Sequence, residues 1–133
     1  MKDRFLSQKQ QYKRLLTNYR THGNVIVAFD FDNTLYDFHQ VGDAYPKLIE
    51  MLQECDSLGF EIMCFTANSD TELVRTTLAS YGIYKYGLNK SSVSFDSVKP
   101  YYSILLDDRA GLKSAYKTLN KLIKHVIKQL GGK

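Results

Sequence analysis

Apolar residues recur along this chain in two rhythms. Over residues 3–20, Phe5, Leu6, Tyr12, Leu15, Leu16 and Tyr19 return at helical spacing, while Arg4, Lys9, Lys13 and Arg20 fall mostly elsewhere. This predicts an amphipathic lead-in helix within residues 1–22. His22, Gly23 and Asn24 interrupt the pattern. Val25 to Phe29 is then apolar at every position and rich in β-branched residues, as a strand covered on both faces requires. Phe60 to Phe65 predicts a second buried strand, and Ile104 to Leu106 a short third one.

Helical spacing returns between these runs. Leu48, Ile49, Met51, Leu52 and Cys55 share a face, with Asp43 as the expected cap and Gly59 as the stop. Leu73, Val74, Thr77, Leu78 and Tyr81 form a helix expected to begin at Ser69 or Asp70 and to stop at Gly82. Residues 83–103 have no dominant period, and a short strand is expected over Val93 to Phe95. From Leu112 to Leu130 the chain reads as a helix. Lys113, Lys117, Lys121, Lys124 and Lys128 form one stripe, with Leu112, Ala115, Leu119, Leu122, Ile123, Val126 and Leu130 opposite. Uniformly apolar strands alternating with helices predict an α/β fold, a three-layer sandwich with a central parallel sheet covered by helices on both sides.

At 133 residues, 44% hydrophobic and 24% charged, the chain fits a single domain spanning 1–133, large enough to fold without disulfides or a structural metal. Its apolar runs are too short for a membrane span and nothing at the start resembles a secretory leader, so a cytoplasmic protein is expected. Cys55 and Cys64 make no CxxC pair and are expected in the core, as are most of the ten tyrosines. His22, His39 and His125 lack metal-ligand spacing.

Charge separates the chain into parts. Residues 1–22 carry six Lys/Arg against Asp3, and residues 113–133 carry six lysines and no acid, whereas residues 23–112 hold thirteen Asp/Glu against six Lys/Arg. The acidic centre invites a cation, and the basic ends suit a polyanion or a plain solvated face.

Three predicted strands finish in polar residues that a buried strand does not need: Asp30 and Asp32, then Thr66, then Asp107 and Asp108. Ligands of open parallel sheets bind outside the carboxyl ends of the strands, so these residues are expected to converge on one crevice. Four carboxylates in one pocket call for a hard cation such as Mg²⁺.

The run Asp30, Phe31, Asp32, Asn33, Thr34, Leu35 resembles the DxDx[TV] first motif of the haloacid dehalogenase (HAD) superfamily. Phe65, Thr66, Ala67 is similar to its second motif, Lys99 to its third, and Leu105, Leu106, Asp107, Asp108 to its fourth. Lys99 stands eight residues before Asp107 and is followed by Pro100, a spacing similar to the 5'-deoxyribonucleotidase branch, with Lys90 the competing lysine.

The resemblance implies a HAD-like phosphohydrolase in which Asp30 is the nucleophile and Asp32 the acid and base. Thr66, the backbone of Ala67 and Lys99 would hold the phosphoryl group. Asp30, the main-chain carbonyl of Asp32, and Asp107 would bind Mg²⁺, with Asp108 acting through water or by orienting Lys99. Only about 34 residues separate Asp32 from Thr66, so no cap domain is expected and the site should be open. Tyr36, Phe38, Tyr101 and Tyr102 are candidates to line its mouth and stack on a base.

The expected function is a Mg²⁺-dependent phosphomonoesterase acting on a nucleotide or a nucleic-acid end, with no membrane partner and the oligomeric state open. The alternatives are a phosphatase for a phosphoprotein or another small metabolite, and a non-catalytic protein of this fold that binds nucleic acid or a partner.

Overall fold

The structure is a computed structural model that describes residues 7–32, 45–92, 101–107 and 110–131. Their order is α1 (Gln8–His22), β1 (Ile26–Asp30), α2 (Pro46–Ser57), β2 (Glu61–Phe65), α3 (Thr71–Ser80), β3 (Gly87–Leu88), β4 (Ile104–Leu106) and α4 (Leu112–Gly131). The four strands form one parallel sheet in the order β3-β2-β1-β4. Helices flank it, in the α/β, Rossmann-like layout of a three-layer sandwich. The expected strand over Val93 to Phe95 lies outside the described residues.

Local chemistry sets the boundaries. Ser7 caps α1, its hydroxyl accepting from the Gln10 N–H at 3.4 Å. Gly23 ends that helix at φ 72°, its N–H donating to the Tyr19 carbonyl at 2.7 Å, a left-handed turn that costs glycine little. Asp70 caps α3 by accepting from the Leu73 N–H at 3.0 Å.

The start of α2 differs from expectation. Tyr45, not Asp43, occupies the cap position, and no side chain bonds there. Pro46 supplies the start instead, since its fixed φ suits a first turn and its missing N–H would have had no helical partner. Asp43 lies outside the described residues.

Alternation along the strands assigns the faces. Val27, Phe29, Ile62, Cys64 and Leu106 join one apolar cluster with Leu15 of α1, Leu52 of α2, Val74 and Leu78 of α3, and Leu119, Leu122, Ile123 and Val126 of α4. Ile26, Ala28 and Met63 point the other way and are buried as well, so both faces of the sheet are covered. Each such aliphatic side chain contributes about 1.5–3 kcal/mol by leaving water. α1 and α4 pack together, and α4 also reaches β4 and α2.

Two expectations about the core need correction. No described tyrosine is fully buried: Tyr12, Tyr19, Tyr45, Tyr81, Tyr86 and Tyr116 pack at the rim of the cluster, and Tyr84 is 72% exposed. A phenol hydroxyl is easily satisfied at such a rim, where its ring still leaves water. Leu130, assigned to the apolar side of α4, is 70% exposed, because it lies beyond the part of the helix that the core covers. The five lysines of the stripe are all exposed, as expected.

The two-residue strand β3 gave no signal of its own, yet it depends on one side-chain choice. A Cβ built on Gly87 would collide with the Lys90 carbonyl oxygen, and Asn89 adopts φ 56° to make the turn between them. Gly87→Ala should therefore lower stability by about 1–3 kcal/mol. Urea denaturation checks this, and an unchanged midpoint would contradict the close approach.

Candidate functional site

The sheet order creates a switch point. The chain leaves β1 towards β2, whereas β4 lies on the other side of β1, so the switch point, where open parallel sheets place their ligand crevice, falls at the carboxyl ends of β1 and β4. Asp30 pairs in register with Phe65 of β2. Phe29 pairs with Leu106 of β4. Asp107 follows directly after Leu106, at the same end of the sheet as Asp30.

Phe31 is fully buried, and its neighbours Asp30 and Asp32 are half-buried. The alternation of this segment thus anchors a ring in the core and sends both carboxylates to the crevice side. Cys64 pairs in register with Phe29, one position before Asp30. Its thiol pKa is pushed up to about 12, mainly by burial and further by the charges of Asp30 and then Asp32. Cys55 is pushed equally high by burial, with Glu54 and Asp56 adding to it.

Both thiols are expected to resist alkylation in the native protein at pH 8 and to react fully in urea, a contrast that mass spectrometry of the labelled protein reads directly. The linkage has a defined sign. Well below pH 9 both thiols are almost wholly protonated in folded and unfolded chains alike. Between pH 9.0 and about 12 only the unfolded chain ionises them, so stability falls as pH rises through that window.

A chain of hydrogen bonds joins the first two strand ends. Asn68 donates from Nδ2 to Asp32 Oδ1 at 3.2 Å, and its backbone N–H donates to Thr66 Oγ1 at 2.9 Å. Asn68 Oδ1 in turn accepts from the Asp70 N–H at 2.9 Å, which ties the loop to the cap of α3. From the other side, Asn89 Oδ1 accepts from the Thr66 N–H at 2.8 Å, and the Asn89 N–H donates to the Cys64 carbonyl at 2.8 Å. Thr66 is therefore fixed at both its hydroxyl and its backbone.

Sequence reasoning missed the roles of Asn68 and Asn89. Asn68 carries a visible signal, a polar amide two residues past the motif threonine. Asn89 carries a weaker one, an asparagine two residues after Gly87, a residue type that tolerates a left-handed turn.

Asp30, Asp32, Thr66 and Ala67 lie at the ends of the adjacent strands β1 and β2, and Asp107 at the end of β4, where its carbonyl accepts from the Ala110 N–H at 3.0 Å. Lys99 and Asp108 lie outside the described residues. Lys90 is exposed just beyond β3. Tyr36 and Phe38 lie outside the described residues. Tyr101 and Tyr102 precede β4, hence at the amino ends of the strands, and Tyr101 lines a cavity there with Asn24, Ile26 and Ser103. These two tyrosines are thus at the wrong end of the sheet to stack on a base at the crevice.

Among the described residues, no group of three or more His, Cys, Asp or Glu side chains is arranged to hold a metal ion. The ligand set implied by the resemblance asks for less than that. It uses the side chains of Asp30 and Asp107 and the carbonyl of Asp32, whose own carboxylate is engaged by Asn68. All are oxygen donors, the type that Mg²⁺ takes, so the residues fit the ion in kind.

No helix among the described residues is long and apolar enough to cross a membrane. No family model and no curated protein matches the chain. A solved structure of a conserved protein from Bacteroides thetaiotaomicron is similar to it, with a TM-score of 0.58 over 77% of this chain and 91% of that one, at 21% identity. That likeness carries the fold alone.

Proposed function

We propose that the protein is a Mg²⁺-dependent phosphomonoesterase that forms an aspartyl-phosphate on Asp30, with a nucleotide or a nucleic-acid end as substrate. The observation that carries this reading is the hydrogen-bonded link from Asp32 through Asn68 to Thr66, which couples the first and second motif positions at the carboxyl ends of adjacent strands.

In this reading an Asp30 carboxylate oxygen attacks phosphorus in line, and the ester P–O bond breaks as Asp32 gives its proton to the leaving oxygen. Water then attacks the phosphoryl group, Asp32 takes the water's proton, and the bond to Asp30 breaks to free the carboxylate. Asn68 holds Asp32 Oδ1, which leaves Oδ2 to carry that proton. Thr66 and the Ala67 backbone donate to the phosphoryl oxygens, with Lys99 assigned the same charge by resemblance. Mg²⁺, held by Asp30, the Asp32 carbonyl and Asp107 with Asp108 assisting, would offset repulsion between nucleophile and phosphate.

Phosphate release from p-nitrophenyl phosphate is expected with Mg²⁺, lost in EDTA and restored by excess Mg²⁺. Inactivity with every divalent cation, towards this ester and mononucleotides alike, would sink the reading. The same assay on phosphopeptides sorts the substrate classes, since a preference there moves the substrate to phosphoprotein.

A further inference from the structure

The described α1 and α4 contain no aspartate or glutamate between them. They carry Lys9, Lys13, Arg14 and Arg20 on the first, and Lys113, Lys117, Lys121, Lys124 and Lys128 on the second. The two helices pack against each other, and the join is specific: Ser114 Oγ donates to Gln11 Oε1 at 2.8 Å, and Lys121 Nζ sits 4.4 Å from the centre of the Tyr12 ring. Lys9, Lys13 and Arg20 recur on one side of α1, next to Tyr12. The basic rows of the two helices therefore adjoin across Tyr12 and Lys121. Self-repulsion of so many like charges disfavours this face unless a polyanion covers it.

We infer that the outer face of α1 and α4 binds the phosphate backbone of nucleic acid. The stripe from Lys113 to Lys128 is about 22 Å long at 1.5 Å per residue, which matches roughly six or seven phosphates of one stacked strand at about 3.4 Å of axial rise each. Its first lysine stands six residues after Asp107, at the end of α4 that starts from the carboxyl end of β4. A strand laid along the stripe therefore ends beside the acidic crevice. An anionic bilayer fits less well, because a membrane-surface helix buries an apolar face in the lipid. The apolar face of α4 is already used in the core, and among its described residues only Ile127 and Leu130 are large, apolar and exposed. This inference stands apart from the catalytic reading, since binding needs neither Asp30 nor a metal.

Fluorescence anisotropy with a labelled 12-nucleotide single strand in EDTA tests it on the full chain. The logarithm of the affinity should fall with the logarithm of salt concentration with a slope of about −3.5, as five lysine contacts on a single strand imply. Replacing Lys117, Lys121 and Lys124 together by Ala should weaken binding roughly tenfold or more and flatten the slope by about 2, while Arg at the same positions restores both. Hydrolysis of p-nitrophenyl phosphate should be unchanged in either variant. Circular dichroism checks the fold, and the slope of the unaltered protein is informative even if the Ala variant is unstable. A salt-independent affinity, no loss on Ala substitution, or tighter binding to phosphatidylserine vesicles than to the oligonucleotide would overturn the inference. Dead hydrolysis with intact, salt-sensitive binding would reject the phosphatase alone.

Discussion

Asp30→Asn is expected to abolish phosphate release, by at least about 10³-fold, because the amide offers no carboxylate to form the acyl phosphate. The substitution keeps the size of the side chain, and Asp30 is only half-buried at the end of β1, so the fold should persist. A thermal melt within a few degrees of the parent separates lost chemistry from lost structure. Because the Asp30 charge helps to raise the pKa of Cys64, the same variant should also titrate that thiol at lower pH. Activity surviving at a tenth of the parent level would mean that another group is phosphorylated or that water attacks directly. Either outcome would remove Asp30 from the role proposed.

The second large effect is on stability. Phe31 is 0% exposed and belongs to the central apolar cluster, although its two neighbours face the crevice. Phe31→Ala removes a ring from a close-packed site and should cost about 3–5 kcal/mol. For a domain of this size that lowers the melting temperature by roughly 10–20 °C. Activity measured well below the new melting point should fall too, because the ring is what holds the two flanking carboxylates in position. Phe31→Leu, which refills most of the space, should recover most of both. A variant with native stability and no activity would show that the ring acts on the site without supporting the core.

How far the sequence alone reached can be followed residue by residue. The strands were legible because Val25–Phe29 is apolar at every position and Phe60–Phe65 at every position but Glu61, and covered strands demand such runs. The cap of α3 was legible because Asp70 bonds its own helix three residues on. Tyr45 and β3 were not. A helix started by Pro46 has no capping side chain to detect, and two residues are too few to show a period. At the site, Asp30, Asp32, Thr66 and Asp107 announced themselves as polar ends of apolar runs. Asn68 and Asn89 did not, because their contribution lies in bonds to residues 36 and 23 positions away, which no local pattern encodes. The tyrosines misled for a related reason: counting them as apolar hides the hydroxyl that keeps each one at the rim.

The pairing of α1 with α4 has a consequence for synthesis. Leu15 and Leu16 of α1 lie some hundred positions from the helix that shelters them, so a nascent chain carries a sticky, uncovered surface until residues 112–131 leave the ribosome. A product that stalls after β4 should be aggregation-prone and in need of chaperones, and supplying α4 as a separate peptide is the natural way to rescue its solubility.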